Sequence, residues 1–290
     1  MRSFGIVAPT LFVLLGLGVT QALPANAGQP RYSAHATLPA AARAALAPVL
    51  ADPRRDKDRS RDMWRHPEAV LAFCHIAPGM KVVDFMPGGG WWTNIMVPYL
   101  GETGRYIALN PDVRSGSDVM KRFFGDTATN LPPKITEWTG APASRFDAFN
   151  TDVLPAALDG TVDRVMIMRQ VHNVHRFGML YHELAAVRRL LKPDGLLCIE
   201  EHRARANAPA AYTDGNKGYL RQTDMIALMQ AHGFDLAASS EVNANRKDTA
   251  DYPDGVWVLP PTYRLGAKDR ERYAAIGEAD RMTLVFRKRP

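Results

Sequence analysis

Apolar positions along the chain fall into two alternating patterns, short continuous runs and longer stretches with helical spacing. Runs at Met80 to Phe85, Gly104 to Leu109, Val162 to Met168, Leu196 to Glu200, Leu236 to Val242 and Met282 to Arg287 predict strands, and Lys134 to Trp138 adds a weak third strand in chain order. Helical spacing predicts helices over Leu38 to Leu50, Trp91 to Leu100, Ser117 to Phe124, Phe177 to Leu191 and Gln222 to Gly233. Asp56 to Phe73 reads as a further amphipathic stretch with Pro67 as an internal break. Strands alternating with helices imply an α/β fold, a doubly wound, mostly parallel seven-stranded sheet with ligands gathered at the carboxyl ends of its strands. The last two strands are separated by a long segment, 243–280, without clear helical period. A connection of that length is usually functional or carries its own structure, and its Val256-Trp257-Val258-Leu259-Pro260-Pro261 core needs something to pack on.

The N-terminus changes the picture of where this sheet works. Residues 1–27 run from Arg2 through an apolar core, Leu11 to Val19, to the small residues Ala25-Asn26-Ala27. That is the pattern of an export signal cleaved before Gly28, and it predicts an exported protein, periplasmic in a Gram-negative source. Gly16, Gly18, Thr20 and Pro24 weigh against a retained anchor, so no stable membrane insertion is expected after signal removal. Residues 28–69 then form a helical extension and 70–290 the main domain.

The formal charge of +6 favours anionic surroundings only weakly. Arg54, Arg55, Lys57, Arg59 and Arg61 are interleaved with Asp52, Asp56, Asp58 and Asp62, which reads as a solvated, self-paired helix. Nucleic acid is therefore not an expected partner; a small molecule is, and the oligomeric state is left open. Cys74 and Cys198, on an apolar helix and a core strand, read as two buried free thiols although export permits a disulfide.

Chemistry concentrates after the strands. Val82-Val83-Asp84-Phe85-Met86-Pro87-Gly88-Gly89-Gly90-Trp91 is a buried strand, a tight glycine turn and a helix start, the form of a nucleotide-type binding turn. After the fourth strand come Arg169, Gln170, His172, Asn173 and His175, and after the fifth Glu200, Glu201 and His202. His172 is the first choice for a general base, against the alternative of a histidine that only caps its loop, and Asn173 is placed to orient it. Strand alternation means that Glu201 and His202 cannot both face one way. A metal site from His172, His175 and His202 ranks well below these readings, because an HxxH spacing on a loop is not diagnostic.

The glycine turn after the earliest strand, Leu190-Leu191-Lys192-Pro193-Asp194-Gly195 before the fifth, and the short terminal strand together resemble the class I S-adenosylmethionine-dependent methyltransferases over roughly residues 70–290. Six spaced motifs resemble more closely a family of predicted exported bacterial methyltransferases. They are Arg61 to Glu68, Pro87 to Thr93, Val171-His172-Asn173, Glu201 to Ala204, Val256 to Pro261 and Gly277 to Leu284.

The resemblance implies a Rossmann-like methyltransferase fold, S-adenosylmethionine as cofactor and methyl transfer to an oxygen or nitrogen of a small molecule. The alternatives are a non-catalytic ligand-binding protein on the same fold and, below it, a metal-assisted hydrolase. By the same pattern Asp84 would meet the cofactor's amino-acid end, with Gly88 and Gly90 letting backbone approach and Pro87 fixing the path. Arg169 joins this cofactor-binding set. Met86 stands where the pattern has its first glycine, either as a packing residue beneath the loop or at the expense of cofactor binding. Asn110 replaces the acid that takes the ribose hydroxyls, with Asp112 as a substitute. Asn150, Thr151 and Asp152 fall loosely where an adenine contact is often found, with a surface loop as the plainer reading. Asp58, Arg61, Asp62 and Arg65 share one helix face and can pair among themselves, or Arg61 or Arg65 lines the cleft as part of a lid. Of Trp91 and Trp92, one would pack in the core and one shield the ligand.

Overall fold

A computed structural model describes residues 36–114, 116 and 118–290. The proposed export signal lies outside the described residues. Seven strands form one sheet in the order β3-β2-β1-β4-β5-β7-β6. They are β1 (Lys81–Phe85), β2 (Arg105–Asn110), β3 (Phe146–Asn150), β4 (Val162–Met168), β5 (Leu191–His202), β6 (Phe234–Ser240) and β7 (Arg281–Lys288). All neighbours are parallel except β7, which runs antiparallel to both β5 and β6. This is the doubly wound, mostly parallel sheet expected from the sequence, with its order reversing between β1 and β4, where such sheets open a ligand crevice.

One face carries the described part of the N-terminal segment: α1 (Ala40–Ala51), α2 (Asp56–Arg59), α3 (Asp62–Arg65) and α4 (Pro67–Phe73). Leu38, Leu46, Val70, Leu71 and Phe73 join Val82, Tyr106, Met166 and Cys198 in one buried cluster, together with α5 (Thr93–Tyr99). The break at Pro67 is as read: His66 adopts a left-handed φ of 42°, and Pro67 opens α4, the helical position where its missing N–H is no loss. The opposite face buries Val83, Phe85, Ile107 and Ile167 under α9 (Leu180–Leu190) and α10 (Gln222–Ala231).

Four expectations are corrected. Lys134 to Trp138 is not a strand but part of α7 (Thr127–Thr139), which follows α6 (Asp118–Phe124); Thr127, Leu131, Ile135 and Thr139 bury one helical face in spite of Pro132 and Pro133. The third strand is β3, whose burial alternates along its length. The helix expected at Phe177 to Leu191 is α9, but Val171 to Arg176, read as a loop, form a separate short helix, α8 (Val171–Arg176), parted from α9 at Gly178, whose φ is 70°. Finally, Cys74 and Cys198 are joined as a disulfide, with Cα atoms 5.7 Å apart. Both lie in the cluster that α4 forms against β5, so the packing of helix on sheet brings them within bonding range.

The segment 243–280 holds a 3-10 turn (Gly255–Val258) and α11 (Arg270–Ile276). Its Val256, Val258, Leu259, Tyr252 and Tyr273 bury themselves against Ala204, Ala208 and Tyr219, forming a third apolar cluster beyond the end of β5. In β5 itself the pairing with β4 jumps from Leu191 to Leu196 while β4 advances from Val162 to Arg164, so residues 192–195 bulge out as the expected turn.

Candidate active site

Five residues of the anticipated cofactor-binding set meet in one cleft of about 220 Å³ at the carboxyl ends of β1 and β4: Asp84, Met86, Pro87, Gly88 and Arg169. Arg61, Arg65, Gly89, Trp91, Trp92, Met168 and Gln170 complete its lining. The turn keeps a glycine-like path without the first glycine. Met86 has φ 54°, in the left-handed region that costs a side chain roughly 1–2 kcal/mol. Its N–H donates to the Leu109 carbonyl at 2.7 Å, and its side chain is buried with Val83, Phe85 and Ile107. Met86 is thus a packing residue beneath the loop. A methyl group added at Gly89 would meet open space and one at Gly88 only the Met86 carbonyl oxygen at 4.0 Å, whereas one at Gly90 would lie 2.3 Å from Cε3 of Trp138. Gly90 makes room for the α7 tryptophan, and the open cradle is at Gly88 and Gly89.

Beneath the cradle the Asp84 carboxylate is 1% exposed and accepts a 2.9 Å hydrogen bond from the Tyr106 hydroxyl. Thr93 lies 2.8 Å from that hydroxyl and, with Tyr106 donating to Asp84, is its donor. Burial pushes the Asp84 carboxyl up to about 7, opposed by Tyr106 and by Arg169. The phenol of Tyr106 is pushed well above its usual range by burial and by Asp84, so it stays a donor.

A network of buried charge forms the opposite wall. Arg169, itself at φ 61°, donates its N–H to the Glu200 carbonyl and its Nη1 to Glu200 Oε1 at 2.8 Å. Arg281 pairs with the same oxygen at 3.1 Å and with Glu278 Oε2 at 2.6 Å. Glu278 also receives Arg65 at 2.9 Å and Arg61 at 3.2 Å. Burial raises the Glu278 carboxyl, but Arg65, Arg281 and Arg169 outweigh it and hold it at about 2. Burial and the neighbouring Arg169 lower Arg65 to about 9, still a cation at neutral pH. Its guanidinium lies 4.8 Å from the Trp91 ring centre, a cation–π distance.

The self-paired face read from sequence therefore holds only for Arg61 with Asp58; Asp62 goes to Arg55, and Arg65 joins the cleft. Both tryptophans are buried and edge-to-face, and Trp92 Nε1 has no hydrogen-bond partner among the described residues.

The other anticipated cofactor-binding residues, and the proposed base with its neighbours, do not line this cleft. Asn110 ends β2, but its amide donates to Thr127 Oγ1 at 3.0 Å. The Asp112 carboxylate is held by Arg114 at 2.7 Å. Asn150 is no surface residue: it is buried, accepting from the Thr127 N–H and donating to the Pro111 and Phe124 carbonyls. His172, 3% exposed, places Nδ1 2.9 Å from Glu201 Oε1 and donates its N–H to Oε2. Asn173 donates to Gln170 at 2.8 Å.

Glu200 and Glu201 part company, one to Arg169 and Arg281, the other to His172, whereas Glu201 and His202, expected to face opposite ways, both lie beside His172. His202 lies with its ring 5.7 Å from that of His172, and burial, then His172 and Arg281, hold its imidazole well below the usual range. The Trp257 ring covers His172 at 6.1 Å. Among the described residues no group of three His, Cys, Asp or Glu is arranged to hold a metal ion.

Sequence reading missed Tyr106, Trp138, Glu183, Glu278 and Arg281. Glu278 and Arg281 do fall within one of the six motifs, but their partners are distant in the chain.

The chain matches no protein-family model and no curated protein. Solved structures with a similar course include an S-adenosylmethionine-dependent methyltransferase from Aquifex aeolicus, 20% identical, TM-score 0.45, covering 66% of this chain and 93% of that one. The PH0226 protein from Pyrococcus horikoshii is 14% identical, TM-score 0.46, covering 81% and 92%. A TehB-like S-adenosylmethionine-dependent methyltransferase from Corynebacterium glutamicum is 12% identical, TM-score 0.40, covering 82% and 100%. At these levels the likeness carries no weight for function, and the strand order and register themselves establish the fold.

Proposed function

We propose that the protein transfers a methyl group from S-adenosylmethionine to an oxygen or nitrogen of a small molecule. The observation that carries this reading is the open cradle at Gly88 and Gly89 above the buried, Tyr106-oriented Asp84 carboxylate, at the point where the strand order reverses. Asp84 and the backbone of the turn would hold the amino-acid end of the cofactor, which supplies an electrophilic methyl group when bound. Arg65 and Arg169 line that end of the cleft, paired with Glu278 and Glu200.

His172, outside the cleft but two residues past its lining residue Gln170, would serve as base for an acceptor bound on that side. Glu201 holds Nδ1 as the protonated nitrogen, which leaves Nε2 with the lone pair that can take a proton from an acceptor hydroxyl or amine. Most of the remaining demand is alignment, which a rigid sheet edge meets.

Calorimetric titration with S-adenosylmethionine and S-adenosylhomocysteine tests the reading, and both are expected to bind. No binding by the folded protein, in calorimetry and in a second method, overturns it. Binding without turnover on any acceptor would favour a ligand-binding role for the same cleft. His172→Ala is expected to abolish turnover and leave cofactor affinity unchanged.

A further inference from the structure

The glycine-turn cleft, at about 220 Å³, is smaller than the ~300–1,000 Å³ of an ordinary ligand site. A second cavity of about 490 Å³ opens beyond the end of β2, between Asp112, Met120, Phe177, Met179, His182 and Glu183. Glu183 sits in the first turn of α9 and is only 2% exposed. Its Oε1 accepts from the Asp112 N–H at 3.0 Å and from the Thr151 hydroxyl at 3.2 Å. Its Oε2 is buried and has no hydrogen-bond partner among the described residues. A buried carboxylate oxygen without a donor costs free energy unless a ligand brings one. Burial, opposed by those two hydrogen bonds, pushes this carboxyl up to about 7.

The two side chains from which a ribose-binding group was expected are committed elsewhere, Asn110 to Thr127 and Asp112 to Arg114. The Asp112 main chain, two residues past the end of β2, is what anchors Glu183. A carboxylate is therefore present at this end of the sheet, delivered by a helix instead of by the strand.

We propose that the larger cavity receives the adenosine half of S-adenosylmethionine, and that Glu183 accepts a hydrogen bond there from a ribose hydroxyl or from the purine amine. The proposal rests on the methyltransferase reading. Met120 and Met179 supply polarisable apolar wall for a purine face, and Glu183 supplies the polar group that fixes its orientation.

Calorimetry with S-adenosylhomocysteine, its inosine analogue and its 2′-deoxy and 3′-deoxy analogues tests this. Glu183→Gln, which keeps the shape and removes the charge, is expected to weaken S-adenosylhomocysteine binding by ~10-fold or more, the loss of one charged hydrogen bond. The melting temperature of the ligand-free protein should not fall. The analogue whose penalty in the wild type disappears in Glu183→Gln identifies the donor, amine or hydroxyl.

Met179→Trp fills the cavity from a half-buried position and is expected to weaken binding comparably, which decides the matter should Glu183→Gln fail to fold. A wild type that does not bind S-adenosylhomocysteine overturns the methyltransferase reading. A wild type that binds it, with affinity unchanged in the folded variants, overturns this proposal alone.

Discussion

Asp84 carries opposing demands in a single side chain. Its carboxyl is raised to about 7 by burial, against an ordinary value of 3.8. In the window between about 4 and about 7 the folded protein holds a proton that the unfolded chain has released, so this group makes stability fall as pH rises. Asp84→Asn removes that dependence. The variant is expected to melt at a higher temperature than the wild type at pH 8, and to lose the advantage by pH 4. The same substitution removes a charged acceptor from the cradle, so cofactor affinity at pH 8 should fall by ~10-fold or more. Melting curves across pH and a calorimetric titration check the two halves separately. A variant no more stable at pH 8 would show that Asp84 is not held protonated.

Among the elements, what the sequence revealed depends on how local the determining contacts are. β1, β2, β4 and β7 were legible because each is a run of apolar residues buried on both faces. β3 was not: Phe146-Asp147-Ala148-Phe149-Asn150 alternates in burial at an edge, and the paired prolines upstream disguised α7 as a break followed by a strand. Asp84, Met86, Pro87, Gly88 and Arg169 were legible as neighbours in one cleft because they end or follow β1 and β4. Gly90 was misassigned in emphasis, since the ring that needs its missing side chain lies 48 positions away at Trp138 (138 − 90). That contact is testable between elements. Gly90→Ala forces a methyl group against the ring at a φ of 78° and is expected to cost roughly 1–3 kcal/mol by denaturant unfolding. In a Trp138→Leu background the penalty should shrink, because the steric part is gone. Equal penalties in both backgrounds would place the cost in the backbone alone.

Among the long-range links that tie the N-terminal helices to the rest of the molecule are a disulfide and a shared carboxylate. The first is the disulfide from the end of α4 to the middle of β5, closing a sequence separation of 124 residues. Replacing both cysteines by alanine is expected to lower unfolding free energy by about 2–4 kcal/mol, seen as a lower denaturant midpoint. An unchanged midpoint would mean that the packing around Cys74 and Cys198 suffices without the bond.

The second link is Glu278, which gathers Arg61 and Arg65 across 217 and 213 positions. During synthesis the arginines emerge early and the glycine turn soon after, yet their shared carboxylate follows 217 and 213 positions behind them. Until then buried Arg65 lacks its carboxylate and Arg61 has only Asp58, so the wall they form cannot settle. The glycine-turn cleft therefore cannot take its final shape until Glu278 has been made, and every shorter nascent chain carries an incomplete one.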